Sequence, residues 1–94
     1  MKALKRAAIN SQSEKALLLE VEYSYRRGGV WKHGLTFPLW IPKSQYKLDD
    51  EYHCVEDWLI EEKETEIAKR IQADLVQIQI ADHPGQLGLF EEIV

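Results

Sequence analysis

The last nine residues of the chain combine one amide side chain with large apolar side chains at fixed spacing. They read Gln86-Leu87-Gly88-Leu89-Phe90-Glu91-Glu92-Ile93-Val94. In an extended peptide, Leu89 and Phe90 can fill an apolar pocket and Leu87 can enter the neighbouring subsite. The Gln86 amide can both donate and accept hydrogen bonds at the other end. The chemistry of this segment is therefore recognition by a pocket on another molecule.

The run QLGLF resembles the pentapeptide by which bacterial DNA polymerases, mismatch-repair proteins and other replication factors dock on the β sliding clamp. The family pattern is glutamine, leucine, usually serine or aspartate, leucine and phenylalanine. This chain departs from it at Gly88, where glycine costs ordering entropy on binding. The resemblance implies that Gln86, Leu87, Leu89 and Phe90 bind the clamp. The alternative is that the apolar side chains fold back to complete the protein's own core.

Basic and aromatic side chains interleave in the first half of the chain, a combination that can bind phosphate and stack on bases. Arg26, Arg27 and Lys32 lie at or beside a Gly28-Gly29 turn, where side chains must be exposed. Together with Lys43 they are the predicted nucleic-acid-binding residues, with single-stranded DNA as the expected ligand. The alternative is that these cations only keep the protein soluble.

A third set of reactive residues is His53-Cys54, close to the acidic run Asp49-Asp50-Glu51. No second cysteine or histidine stands at zinc spacing, although a Cys–His pair could still meet in space. A cysteine at this position is more often a small buried apolar residue. We therefore expect no metal site, no cofactor and no catalytic activity.

The elements that must position these groups begin with a hairpin. Apolar and polar residues alternate over 16–25, which predicts a strand, and Arg26-Arg27-Gly28-Gly29 predicts the turn into a second strand at 30–41. Because Gly34 and Pro38 interrupt that second strand, we expect it to be bulged, split or at a sheet edge.

A helix is predicted over 55–72, where apolar residues recur at helical spacing. Asp49-Asp50 offers an N-cap and first-turn acidic residues for it. Residues 75–80 alternate again and predict a third strand, although a continued helical stripe is the alternative.

The expected fold is α+β, a small antiparallel β-hairpin or three-stranded sheet packed against one amphipathic helix. The 94 residues are enough for one domain. We place an N-terminal basic segment at 1–12, the single α+β domain at 13–81 and a flexible clamp-binding tail at 82–94.

Composition excludes a disordered or collagen-like chain, because 45% of residues are hydrophobic and 30% are charged. One cysteine excludes an internal disulfide, and the absence of a long apolar run predicts no membrane span. We expect a cytoplasmic protein. Residues 1–47 hold nine basic and three acidic residues, whereas 48–94 hold three basic and thirteen acidic ones, so the two halves can face different partners.

Residues 14–63, with Trp40-Ile41-Pro42-Lys43-Ser44-Gln45 and then Trp58-Leu59, are similar to short phage and plasmid proteins of unknown function. The expectation is a non-enzymatic accessory protein of DNA replication, recombination or repair, from a mobile element, that docks on the clamp. Three alternatives stay open: an inhibitor of the host clamp, an acidic mimic directed at a host defence complex, and a single-stranded nucleic-acid-binding module.

Overall fold

The structure is a computed structural model, and it describes residues 1–81. Within that part of the chain, a short 3₁₀ helix at Lys43–Gln45 accompanies seven strands and one α-helix. They are β1 (Lys2–Ala3), β2 (Ala7–Gln12), β3 (Ala16–Arg27), β4 (Val30–Pro42), β5 (Tyr46–Asp49), β6 (Tyr52–Val55), α1 (Asp57–Ile71) and β7 (Leu75–Ile78). The predicted α+β class is confirmed, and the predicted tail 82–94 lies outside the described residues.

The larger sheet is built around β3, which has partner strands along both of its edges. β4 pairs with β3 along one edge, while β2 and β7 pair end to end with its other edge, all antiparallel. Gly28 and Gly29 close the β3–β4 hairpin at φ values of 59° and 79°, as a two-residue hairpin turn requires. The predicted hairpin and third strand are thus confirmed, and the third strand ends at Ile78.

Helix α1 covers one face of this sheet and forms the core with it. Leu59, Ile60 and Ile67 are buried on the helix, against sheet residues that include Leu19 and Leu39. Burying side chains of this size contributes about 1.5–3 kcal/mol each. The helix occupies most of the predicted 55–72 range. Within residues 1–81, the other face of the sheet (the open face) carries exposed side chains, Trp40 among them.

Strand β4 is both bulged and at the sheet edge, as its sequence predicts. Tyr23 pairs with Leu35 but Tyr25 pairs with Lys32, so β4 carries one extra residue opposite Ser24. Gly34 accommodates this bulge at a φ of 74°. The strand is not split.

Pro38 is tolerated inside β4 because of the direction in which its nitrogen points. The Glu22 amide donates to the Arg6 carbonyl, and the Glu22 carbonyl accepts from the Gln79 amide, both on the edge of β3 that faces away from β4. Because every second residue of a strand directs its backbone groups to the same edge, Glu20 also directs its backbone groups away from β4. Pro38, the partner of Glu20, therefore directs its nitrogen toward solvent, where a missing N–H breaks no ladder bond.

Two expectations are wrong. Asp49-Asp50 does not cap the helix: Asp49 ends β5, Asp50 takes a φ of 59° in a tight turn to β6, and the helix begins only at Asp57. Residues 1–12, which we placed outside the domain, supply β1 and β2. Leu4, which follows β1, is 3% exposed within the core, so the fold needs this segment.

A second, smaller sheet has the order β1-β6-β5. Met1 and Leu4 flank its short first strand, and the Leu4 amide donates to the His53 carbonyl at 2.9 Å. The same segment meets the end of β7, because Leu4 forms an isolated bridge with Ile80. The N-terminal residues thus join the two sheets.

Candidate functional site

The predicted clamp-binding residues Gln86, Leu87, Leu89 and Phe90 lie outside the described residues, so their role stays a prediction. The point from which the chain continues toward them is well defined. The Ala81 amide donates to the Ala3 carbonyl at 2.9 Å. Only residues 82–85 separate this anchored residue from the motif, a length that spans at most about 14 Å when fully extended.

Arg27, one of the predicted phosphate-binding residues, contacts the end of the helix instead. Its guanidinium donates to the Ile71 carbonyl and, at 3.2 Å, to the Gln72 carbonyl. Its guanidinium carbon also lies 5.1 Å from the centre of the Tyr25 ring. Because the last carbonyls of a helix lack intrahelical donors and carry partial negative charge, this cation acts as a helix C-cap.

The hairpin tip around Arg27 is fixed to the loop between α1 and β7. The Gly28 amide donates to Asp74 Oδ2 at 3.0 Å, and the Asp74 amide donates to the Arg26 carbonyl at 2.9 Å. The turn is therefore tied to that loop at two positions, Arg26 and Gly28.

The other predicted cations do not form one cluster. Lys43 lies just beyond the far end of β4, eleven residues from Lys32, a separation of about 35 Å along an extended strand. Arg26 and Lys32 are both exposed near the turn. Lys32 is the partner of Tyr25 and Arg26 is the partner of Trp31, so these two cations lie on opposite faces of the hairpin.

A polar cluster on the open face of the sheet, close to Arg26, was not predicted. Ser24 Oγ lies 2.9 Å from His33 Nδ1, and the Gln79 amide donates to Ser24 Oγ at 3.0 Å. The His33 ring stacks on Trp31 with centroids 6.1 Å apart and an interplanar angle of 13°. Strand alternation could have placed Arg26 and Ser24 together, but the pairing with Gln79 has no local signal.

The acidic residues of this face lie further along β3. Glu22 pairs with Arg6 at 3.7 Å. Glu20 accepts a hydrogen bond from the Asn10 amide at 2.8 Å, and this bond, with a second from Thr36, lowers the pKa of the Glu20 carboxyl. Both carboxylates therefore have neighbours that stabilise their charge.

The structure separates the members of the His53-Cys54 pair. They are adjacent in β6, so their side chains point to opposite faces, and Tyr46 Oη lies 2.5 Å from His53 Nδ1. Cys54 is 8% exposed, and burial raises the pKa of its thiol, which opposes thiolate formation. In residues 1–81 no group of three or more His, Cys, Asp or Glu side chains is arranged to hold a metal.

Helix α1 is too short and too polar to cross a bilayer, and the described residues contain no other α-helix. Comparison with protein-family models, with curated proteins and with solved structures finds no match to this chain.

Proposed function

We propose that this chain is a non-enzymatic accessory protein of DNA replication, recombination or repair that docks on the bacterial sliding clamp. Leu89 and Phe90 fill the apolar pocket of the clamp, Leu87 enters the adjoining subsite, and the Gln86 amide hydrogen-bonds at its rim. The single observation that carries the proposal is the run QLGLF at residues 86–90.

The hydrogen bond between Ala81 and Ala3 supports this proposal, because it fixes the position of the chain a few residues before the motif. Residues 1–81 already pack a helix against a sheet, with core residues distributed from Leu4 to Ile78, and Ala81 is hydrogen-bonded to Ala3. A motif that starts five residues after this anchored position holds the domain within about 18 Å of the peptide. Docking therefore raises the effective concentration of the domain beside the clamp, so that a weak contact with DNA becomes sufficient.

The test measures binding of the full chain to purified bacterial sliding clamp. We expect the double variant Leu89→Ala, Phe90→Ala to lose at least about tenfold in affinity, because two buried anchors are truncated. The matched control is Glu91→Ala, Glu92→Ala, which alters the same segment and leaves the pentapeptide intact. We expect this control to bind within about twofold of wild type.

Thermal unfolding of the same proteins separates docking from folding. The free energy of unfolding of the double variant should lie within about 0.5 kcal/mol of the wild-type value if Leu89 and Phe90 act on another molecule. A loss of several kcal/mol would show that Leu89 and Phe90 belong to the protein's own core. Equal clamp binding by wild type and the double variant would also refute the proposal.

Expression in bacteria distinguishes recruitment from inhibition once docking is established. Growth arrest that requires Phe90 would identify an inhibitor that occupies the clamp pocket. Unchanged growth with a clamp-dependent association at replication forks would identify a recruited accessory factor.

A further inference from the structure

The open face of the sheet carries an aromatic stack that is built before any ligand arrives. Trp31 is half-buried and His33 is exposed, and their rings lie nearly parallel, 13° apart. A nucleobase has a flat π face of similar width, and stacking on an aromatic side chain tolerates any base. Two parallel rings on one strand can extend such a stack along a single strand of nucleic acid.

Hydrogen bonds restrict the orientation of this stack. Ser24, only 2% exposed, lies within hydrogen-bond distance of both His33 and the Gln79 amide. The bulge at Gly34 places the His33 side chain on the same face as Ser24. Because the imidazole is fixed by Ser24 in the free protein, little rotamer entropy is lost when a base stacks.

The charge around the stack suits a phosphate. Arg26 is the strand partner of Trp31, its side chain is exposed, and it forms none of the ion pairs found within residues 1–81. Glu22, on the same face of β3, pairs with Arg6, and the Asp74 carboxylate beside the turn accepts a hydrogen bond from the Gly28 amide. The acidic helix α1 packs on the opposite face, so its carboxylates are separated from this site by the sheet and the core.

We propose that Trp31, His33 and Arg26 form a binding site for single-stranded nucleic acid on the open face of the hairpin. A base stacks on the Trp31–His33 pair while the Arg26 guanidinium contacts the adjoining phosphate. The Gln77 amide, exposed opposite Ser24, reaches the edge of the base. This site makes no use of Arg27 or Lys43, and it does not depend on clamp docking.

The test uses the full chain and a fluorescently labelled oligothymidylate of about 12 nucleotides, titrated at about 50 mM salt. We expect Trp31→Ala to weaken binding by about 5- to 100-fold, as loss of a stacking platform does. Trp40→Ala is the matched control, because Trp40 is exposed on the same face but nine residues further along β4. It should bind within about twofold of wild type.

Two further variants keep the test decisive if Trp31→Ala fails to fold. Trp31→Phe retains a π face and should bind within about threefold of wild type. Arg26→Gln should reduce the slope of log affinity against log salt by about 1. An unchanged slope, equal losses from the Trp31 and Trp40 variants, or no binding by wild type would each overturn the proposal. Competition by a mononucleotide as strong as that by the oligomer would assign the site to free nucleotides instead.

Discussion

Replacing Arg27 by alanine tests whether this residue is a helix cap or a ligand-binding cation. The side chain contacts two carbonyls at the end of α1 and the ring of Tyr25. All of these contacts are lost in Arg27→Ala, and the Ile71 and Gln72 carbonyls are left to water. The expected result is a less stable protein.

The size of the effect follows from the contacts. Each hydrogen bond contributes about 0.5–1.5 kcal/mol, a cation at a helix C-terminus about 0.3–1 kcal/mol, and an exposed cation–π contact about 0.5–1 kcal/mol. Because Arg27 is exposed and water replaces part of what is lost, we take about 2 kcal/mol as the net cost. In a domain of this size that corresponds to a fall in Tm of about 8–16 °C.

Thermal and urea unfolding measure the loss, with two matched variants. Arg27→Lys keeps the charge but not the forked donor geometry and should lose about half as much. Arg26→Ala removes the neighbouring cation, which points to the open face, and should stay within about 0.5 kcal/mol of wild type. Equal stability of Arg27→Ala and Arg26→Ala would refute the capping role and return Arg27 to the candidate ligand-binding residues.

Two further predictions concern single contacts inside the described fold. Glu64 Oε2 accepts a hydrogen bond from the Ile78 amide at 2.8 Å. Burial raises the pKa of the Glu64 carboxyl, so the folded state binds the carboxyl proton more tightly than the unfolded state does. The stability that this group contributes is then full below the ordinary glutamate pKa, and it is lost as pH rises through the raised pKa of the folded state. The free energy of unfolding of Glu64→Gln should equal or exceed that of wild type at pH 7, and the difference should shrink toward pH 4. Glu64→Ala should lose about 1–2 kcal/mol of this free energy. A difference between Glu64→Gln and wild type that does not change with pH would contradict this prediction. Gly34→Ala should lower the free energy of unfolding, measured in urea, by about 1 kcal/mol. A residue with a Cβ is strained at a φ of 74°, although no atom lies within 4 Å of the position that this Cβ would take. An unchanged urea midpoint would show that the bulge relaxes.

The sequence predicted those elements whose pattern is local. The alternation of residues 16–25, the Gly28-Gly29 turn and the helical stripe after 55 each correspond to an element in the structure. Strands β1 and β2 could not be predicted in this way, because their residues are mostly exposed. β1 is in addition held by pairing with the distant strand β6. Asp50 was misread because an aspartate favours a left-handed turn as readily as it favours a helix N-terminus.

Arg26 and Arg27 have different roles, and only part of this difference could be predicted from the sequence pattern. Because side chains alternate across a strand, Tyr25 on the core face already places Arg27 beside the helix and Arg26 on the open face. That much could be predicted from residues 23–27 alone. The length of α1 and the position of its last carbonyls depend on tertiary packing. A basic pair at a hairpin turn is therefore better treated as two residues with separate roles than as one patch.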